Sequence, residues 1–284
     1  VSDYNELLRE GEKLLAPLEY SAPEFEVREL LALIIGHEAR SAGFLMTLSE
    51  PVTEENRESF LALCRRRLDG EPLQYILGEW EFYGLTFEVG RGVLIPRQDT
   101  ELIVELALNK YKKTDSITVL DLCAGTGCIG ITLDKKLKNA SVTLIEKSGE
   151  ALEYLHSNLK RHRSDARAVQ GDVLDETLAE QYRDIDLIVC NPPYLTARDM
   201  RQLQTEVRAE PPEALFGGED GLDFYRGITR IWKNSLKTDG ILIFEVGFTQ
   251  AEEVAGIMIQ HGFRDVRIRR DLAGNQRAVI GHKR

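Results

Sequence analysis

From residue 117 onward, short apolar runs alternate with helical stretches, and this alternation restricts the chain more than any other feature. Residues 117–122, 142–146, 166–170, 185–190 and 241–246 read as strands, and the stretches between them carry helical spacing. Strands that alternate with helices predict a mostly parallel sheet covered by helices on both faces, a Rossmann-like α/β layout. Residues 266–269 and 278–281 are expected to complete the sheet as an antiparallel end, which makes seven strands.

The first quarter of the chain has a different character. Between residues 4 and 70 apolar side chains recur at helical spacing, with Leu7, Leu8, Leu14, Leu15 and Leu18 in one segment and Leu30, Leu31, Ile34 and Ile35 in the next. Pro23 suits a first helical turn, Thr53 followed by Glu54 and Glu55 reads as an N-cap with acids on the helix dipole, and Gly70 closes a helix over 60–68. Residues 79–89 then bring Trp80, Phe82, Tyr83, Phe87 and Val89 around Gly84, which predicts a short β-hairpin. Asp99 or Thr100 is expected to cap a helix bearing Leu102, Ile103, Leu106 and Leu108. A length of 284 residues accommodates two domains. The division expected is a helical domain over 1–75, a hairpin connector over 76–95 and an α/β domain over 96–284.

Charge and cysteine usage narrow the function classes. A net charge of -11 disfavours a general nucleic-acid binder, because phosphate contacts depend on Lys and Arg. The basic runs Arg65-Arg66-Arg67 and 267–270 sit amid acidic sequence and are expected to be solvated faces. Cys64, Cys123, Cys128 and Cys190 form no Cys-x-x-Cys pair, and the histidines show no ligand spacing, so no metal is expected. Without a signal-peptide pattern or an apolar run near ~18 residues, the chain is expected to be cytoplasmic and away from membranes. It starts on Val1 rather than Met, so a trimmed native start is expected.

The first strand runs into Asp121-Leu122-Cys123-Ala124-Gly125-Thr126-Gly127-Cys128-Ile129-Gly130. Gly125, Gly127 and Gly130 satisfy G-x-G-x-x-G, and Glu146 ends the next strand at the distance where an acid holds ribose hydroxyls. This pattern serves dinucleotides and S-adenosylmethionine alike, so charge must decide. Asp121 would repel a pyrophosphate over the loop, whereas the ammonium and sulfonium of S-adenosylmethionine are cationic. Asp172 can accept from an adenine amino group with Val173 against the ring, or it can simply cap the next helix. Cys123 and Cys128 read as small side chains under a tight turn.

The fourth strand leads directly into Asn191-Pro192-Pro193-Tyr194. A carboxamide or exocyclic amine is a poor nucleophile because its nitrogen lone pair is delocalised. Two acceptors in the plane of the NH2 group, the Asn191 side-chain oxygen and the Pro192 carbonyl, can bind both hydrogens, orient the nitrogen and support its developing charge. Pro192 and Pro193 stiffen the turn, since each fixes φ and neither offers an N–H. Tyr194 is expected to stack on the planar target. Adenine, cytosine, guanine and glutamine all present such a group, and the tetrapeptide alone does not choose among them.

The flanking segments do. Gly70-Glu71-Pro72 with Tyr75 and Gly78, residues 94–101 (Leu-Ile-Pro-Arg-Gln-Asp-Thr-Glu), 206–211 (Glu-Val-Arg-Ala-Glu-Pro), 217–222 (Gly-Gly-Glu-Asp-Gly-Leu) and 271–275 (Asp-Leu-Ala-Gly-Asn) before Arg277 accompany the two central motifs. Together they resemble the protein-(glutamine-N5) methyltransferases of the HemK/PrmC type over essentially the whole chain. The resemblance implies a seven-stranded class I methyltransferase domain behind a helical domain that helps grip a peptide-chain release factor. It also implies methylation of the glutamine of the Gly-Gly-Gln loop by a chain expected to act as a monomer. It places the cofactor among Asp121, Cys123, Ala124, Gly125, Thr126, Gly127, Glu146, Lys147, Asp172, Val173 and Asn191, with Pro96, Arg97 and Thr100 beside its methionine end. It implies a glutamine pocket of Asn191, Pro192, Pro193 and Tyr194. Cys123-Ala124 stands where many relatives have Gly-Thr. Two other readings stay open at this point, a DNA or RNA exocyclic-amino methyltransferase and a docking module without catalysis. The charge weighs against the first, and the intact Asp121, Gly125, Gly127, Glu146 and Asn191 against the second.

Overall fold

The computed structural model describes residues 2–19 and 21–284, so the expectation attached to Val1 lies outside the described residues. The chain divides into two compact units, one of residues 1–79 with 204–209, the other of 80–203 with 210–284. This differs from the division read from sequence in two respects. The hairpin groups with the larger unit from Trp80 onward, and a short downstream segment groups with the helices.

The smaller unit contains α1 (Tyr4–Leu15), α2 (Pro23–Ile35), α3 (Ala42–Thr47), α4 (Glu54–Leu68) and α5 (Leu73–Leu77). The buried stripe of α1 is Tyr4, Leu7, Leu8, Gly11 and Leu15. Leu14 faces solvent and Leu18 lies beyond the helix, because Pro17 cannot continue it. Pro23 occupies the first turn of α2, and the Thr53 hydroxyl caps α4 by accepting from the Asn56 N–H at 3.2 Å.

Arg67 overturns the expectation that its run is a solvated face. It is 2% exposed, and its Nε donates to Glu26 at 2.7 Å. Glu206 contacts the same guanidinium. A buried cation needs counter-charge, and this requirement explains why 204–209 belongs with the helices.

In the larger unit β1 (Glu79–Phe82) and β2 (Leu85–Glu88) form the hairpin around the two-residue turn Tyr83-Gly84. There follow α6 (Glu101–Lys110), β3 (Thr118–Leu122), α7 (Cys128–Lys136), β4 (Ser141–Glu146), α8 (Gly149–Arg161), β5 (Arg167–Gln170), α9 (Glu176–Ala179) and β6 (Ile185–Cys190). The chain continues through α10 (Ala197–Met200), α11 (Asp223–Trp232), β7 (Leu236–Glu245), α12 (Ala251–Gln260), β8 (Phe263–Arg270) and β9 (Gln276–Lys283). The sheet order is β5-β4-β3-β6-β7-β9-β8, with β9 antiparallel to both neighbours and the rest parallel. The expected seven strands are present, with β7 starting earlier than expected, at Leu236.

Side chains along the central strands alternate between two cores, as the twofold period of a strand requires. Val119, Leu187, Val189, Ile241 and Ile243 join the core of α6, α7 and α8, whereas Leu120, Leu122, Ile188, Leu242 and Phe244 join that of α11 and α12. Thr100 stands at the N-cap position of α6, as one of the two expected residues, but its side chain makes no capping bond because the hydroxyl goes to Glu245, and Asp99 pairs with Arg277; a short turn over Gln98–Thr100 leads into the helix. No helix among the described residues is long and apolar enough to cross a membrane.

Candidate functional site

The site follows from register. Leu122 of β3 lies beside Cys190 of β6, so Cys123 and Asn191 leave neighbouring strands at the same carboxyl edge. The connections from β3 run toward β4 on one side while β6 lies on the other, and such a switch point opens a crevice. A cavity of about 770 Å³ occupies it.

The glycine loop is held from below and behind. Asp121 is fully buried, and its Oδ2 accepts from the Gly130 N–H at 2.8 Å. A β-carbon at Gly130 would come within 2.6 Å of Leu144 and 2.9 Å of Asp121, so only glycine lets the helix approach the sheet here. At the next strand end the Glu146 carboxylate accepts from Gly125 and Ser148 N–H groups, each at 2.8 Å. The Ala124 N–H goes to the Ile145 carbonyl at 3.0 Å and the Gly127 N–H to the Ala124 carbonyl at 2.8 Å. Four loop N–H groups are therefore satisfied internally. They do not form the outward nest that a pyrophosphate requires.

This arrangement corrects the role given to Asp121. Burial pushes its carboxyl up to about 7, with Glu146 adding to the effect and the Gly130 N–H opposing it. Asp121 also lies beneath the loop rather than on the cavity wall. Asp121 therefore does not stand as a fixed charge on the cavity wall, and four of the loop's N–H groups are already taken. Unfolded, the group titrates near ~3.9, so its stabilising contribution is complete below that pH and is lost as pH rises through about 7. Asp121→Asn removes this dependence, so the variant should gain stability relative to the parent as pH is raised from 4 to 8. Urea denaturation across that range checks the slope.

The cavity wall brings together Pro96, Arg97, Thr100, Cys123, Ala124, Gly125, Thr126, Glu146, Lys147, Asp172, Val173, Asn191 and Pro193. Gly127, Pro192 and Tyr194 are set back from it. Asp172 does not cap the next helix, whose N-cap is Asp175; its Oδ1 accepts from the Leu174 N–H at 2.9 Å in the turn before α9, and its Oδ2 pairs with Lys147 at 2.8 Å. Tyr194 is the clearest correction. Its ring is partly buried against the core of α11 and α12, where burial raises the phenol, and its carbonyl accepts from Gln250 at 2.9 Å. It buttresses the loop instead of presenting a stacking face to the cavity.

Cys123 carries a φ of 61°, a left-handed conformation that costs a side-chain-bearing residue about 1 kcal/mol. Cys123→Gly is therefore expected to stabilise the chain by about 0.5 kcal/mol, after the larger unfolded-state entropy of glycine is deducted. Chemical denaturation measures this directly.

Three residues that sequence reasoning left without a role complete the site. Asn158, on α8, donates to the carbonyls of Glu88 at 3.0 Å and Thr126 at 3.1 Å, tying the glycine loop to β2. Glu210 accepts from the Ile95 N–H at 3.0 Å and pairs with Arg97, which fixes the wall segment before α6. Glu245, 1% exposed at the end of β7, accepts from the Thr100 hydroxyl at 2.6 Å, and Asn191 Nδ2 donates to that same hydroxyl at 3.4 Å. Glu210 directly before Pro211 was the one available sequence signal, and it pointed to no partner.

A doubly wound sheet whose glycine loop is braced by Asp121 and Glu146, facing an Asn-Pro-Pro-Tyr turn across one cavity, defines a class I methyltransferase. A family model described as Methyltransferase small domain matches residues 99–218, and one described as PrmC N-terminal domain matches 6–78. The release factor glutamine methyltransferase of Clostridium botulinum is 35% identical over 284 residues, covering 98% of each chain. That of Geobacter sulfurreducens is 41% identical over 257 residues, covering 90% of this chain and 88% of its own. The chain belongs to the release factor glutamine methyltransferase family, the one its motifs resemble. Its fold is shared with a methyltransferase of Pyrococcus furiosus at a TM-score of 0.53 and 18% identity, over 77% of this chain and 96% of that one.

Proposed function

We propose that this chain transfers a methyl group from S-adenosylmethionine to the side-chain amide nitrogen of the glutamine in the Gly-Gly-Gln loop of peptide-chain release factors. The observation that carries this reading is the juxtaposition of Asn191 and the glycine loop on one cavity, in a member of this family.

The residues present fit the cofactor. Walls of Val93, Ile95, Pro96, Val173 and Phe224 suit a purine and an aliphatic chain. Glu146 would take ribose hydroxyls with lone pairs left over from its two backbone bonds, and Val173 would flank the purine. Asp172 contributes by shaping that turn, while Pro96, Arg97 and Thr100 border the methionine end. Bound S-adenosylmethionine supplies an electrophilic methyl group on a sulfonium.

The chain's own residues prepare the acceptor. The Asn191 Oδ1, on the cavity wall, accepts one amide N–H hydrogen, and the Pro192 carbonyl, set back from that wall, would accept the other once the glutamine enters the turn, which directs the nitrogen toward the donor and supports positive charge as it forms. Pro193 bounds the slot, and Tyr194 holds the turn from behind. No dedicated base is assigned: the amide nitrogen is cationic once it carries both hydrogens and the new methyl group, and in that form it is acidic enough to give one proton to water. The helical unit helps hold the release factor, and the working species is a cytoplasmic monomer whose partner is a protein. The net charge of -11 supports a protein over nucleic acid.

Mass spectrometry of a release factor incubated with enzyme and cofactor tests the reading. A gain of one methyl group on the Gly-Gly-Gln glutamine is expected, and an unmodified glutamine overturns it.

A further inference from the structure

We infer that Glu245, acting through the Thr100 hydroxyl, fixes which end of the Asn191 carboxamide faces the cavity. The inference rests on the function proposed above. A carboxamide has one accepting end and one donating end of nearly equal size, so shape cannot choose between two orientations related by a flip. The choice determines function. With Oδ1 outward, Asn191 accepts from a target NH2; with Nδ2 outward, two donors meet and neither is satisfied.

The structure contains a device that makes this choice. Glu245 as a carboxylate can only accept, so the Thr100 hydroxyl gives its proton to Oε2, at 2.6 Å. That leaves the Thr100 oxygen as an acceptor, and Asn191 turns Nδ2 toward it at 3.4 Å. The second contact is long, which suits a hydrogen bond that biases a rotamer without clamping it. Glu245 and Thr100 are each nearly inaccessible, at 1% and 2% exposure, so water does not compete for these bonds. Both are positioning residues: neither needs to touch the reacting atoms.

The device has a built-in reversal. Neutral Glu245 can donate its own proton to Thr100, whose O–H then points at Asn191 and draws Oδ1 inward. Groups around Glu245 include Arg97, Asp99 and Thr100 on the segment entering α6, Cys128 at the start of α7, and Cys190 and Tyr194 at the end of β6. Tyr225 of α11 and Arg277 of β9 complete the set, the Tyr225 hydroxyl donating to the Glu245 carbonyl at 2.9 Å. Burial raises the carboxyl to about 7, opposed by the Thr100 bond and by Arg277 and Arg97. The competent orientation is therefore gained as pH rises through that value, and kcat should show an acid limb there.

The test compares the parent with Thr100→Val, Thr100→Ser and Glu245→Gln in the full chain. It uses steady-state methylation of a release factor from pH 5.5 to 9, with S-adenosylmethionine affinity measured by calorimetry. Thr100→Val should lower kcat by about 30-fold with cofactor affinity within about threefold of the parent, and Thr100→Ser should recover most of the loss. Glu245→Gln keeps an acceptor for Thr100 but cannot titrate, so its acid limb should vanish. If Glu245→Gln does not fold, the valine and serine pair decides alone. The inference is overturned if Thr100→Val matches the parent, if cofactor affinity falls as far as kcat, or if a folded Glu245→Gln keeps the acid limb. A parent enzyme that methylates no release factor would overturn the function reading itself, whereas an active parent with an unaffected valine variant sinks only the Asn191 orientation.

Discussion

Asn191→Ala should lower kcat by about 10³-fold while leaving S-adenosylmethionine affinity within a few-fold of the parent. Removing one preorganised partner of the charge that forms in a transition state costs about 10²–10³ in turnover. Asn191 stands at the upper end because the acceptor nitrogen is conjugated and depends on its neighbours for orientation. The split between the two readouts follows from placement. Asn191 borders the cavity at the end of β6, whereas the glycine loop and Glu146 belong to β3 and β4, and their backbone bonds do not include Asn191. Stopped-time methylation assays with calorimetry on the same preparation measure both. Equal losses would put Asn191 in cofactor binding.

The second large effect concerns Gly217. Its N–H donates to the Leu195 carbonyl at 2.9 Å while the Leu195 N–H donates to the Leu215 carbonyl at 2.8 Å, a short parallel bridge that braces the Asn-Pro-Pro-Tyr turn. A β-carbon at Gly217 would lie 2.6 Å from the Pro193 oxygen, 2.7 Å from the Tyr194 Cα and 3.0 Å from the Gly221 oxygen. All three obstacles are backbone, so no side chain can swing aside. Gly217→Ala is expected to destabilise the larger unit by about 3 kcal/mol. It should also cut kcat by about 10²-fold by displacing the turn. Gly256→Ala is the natural control: it lies in α12 with nothing within 4 Å of an added β-carbon, and should be neutral or stabilising by up to about 1 kcal/mol. Thermal melting and kcat on both variants separate a local clash from a general intolerance of glycine replacement.

What could be read from the sequence was what local pattern encodes. The strands announced themselves by apolar runs, the hairpin by aromatics around Gly84, and the two loops by residue types whose chemistry is plain. Contacts between distant segments were illegible. Thr100 and Glu245 are 145 residues apart, Ile95 and Glu210 are 115 apart, and no periodicity couples them. Two misreadings share a cause. Arg67 looked like part of a solvated run and Tyr194 like a ring that stacks on the target, because an isolated sequence shows a side chain's chemistry but not which way its backbone turns it. Asp121 was assigned a fixed charge, whereas burial moves its titration up to about 7, since desolvation depends on neighbours that only the fold supplies.

The Arg67 triad has a consequence for how the molecule can be taken apart. Since 204–209 belongs with the helices, the backbone crosses from one unit to the other at three places, near residues 79, 203 and 209. A single proteolytic nick in the hairpin would leave residues 204–209, part of the C-terminal fragment, packed with the helices of the N-terminal one. A fragment ending at residue 79 would carry Arg67 and Glu26 away without Glu206, leaving the guanidinium one counter-charge short.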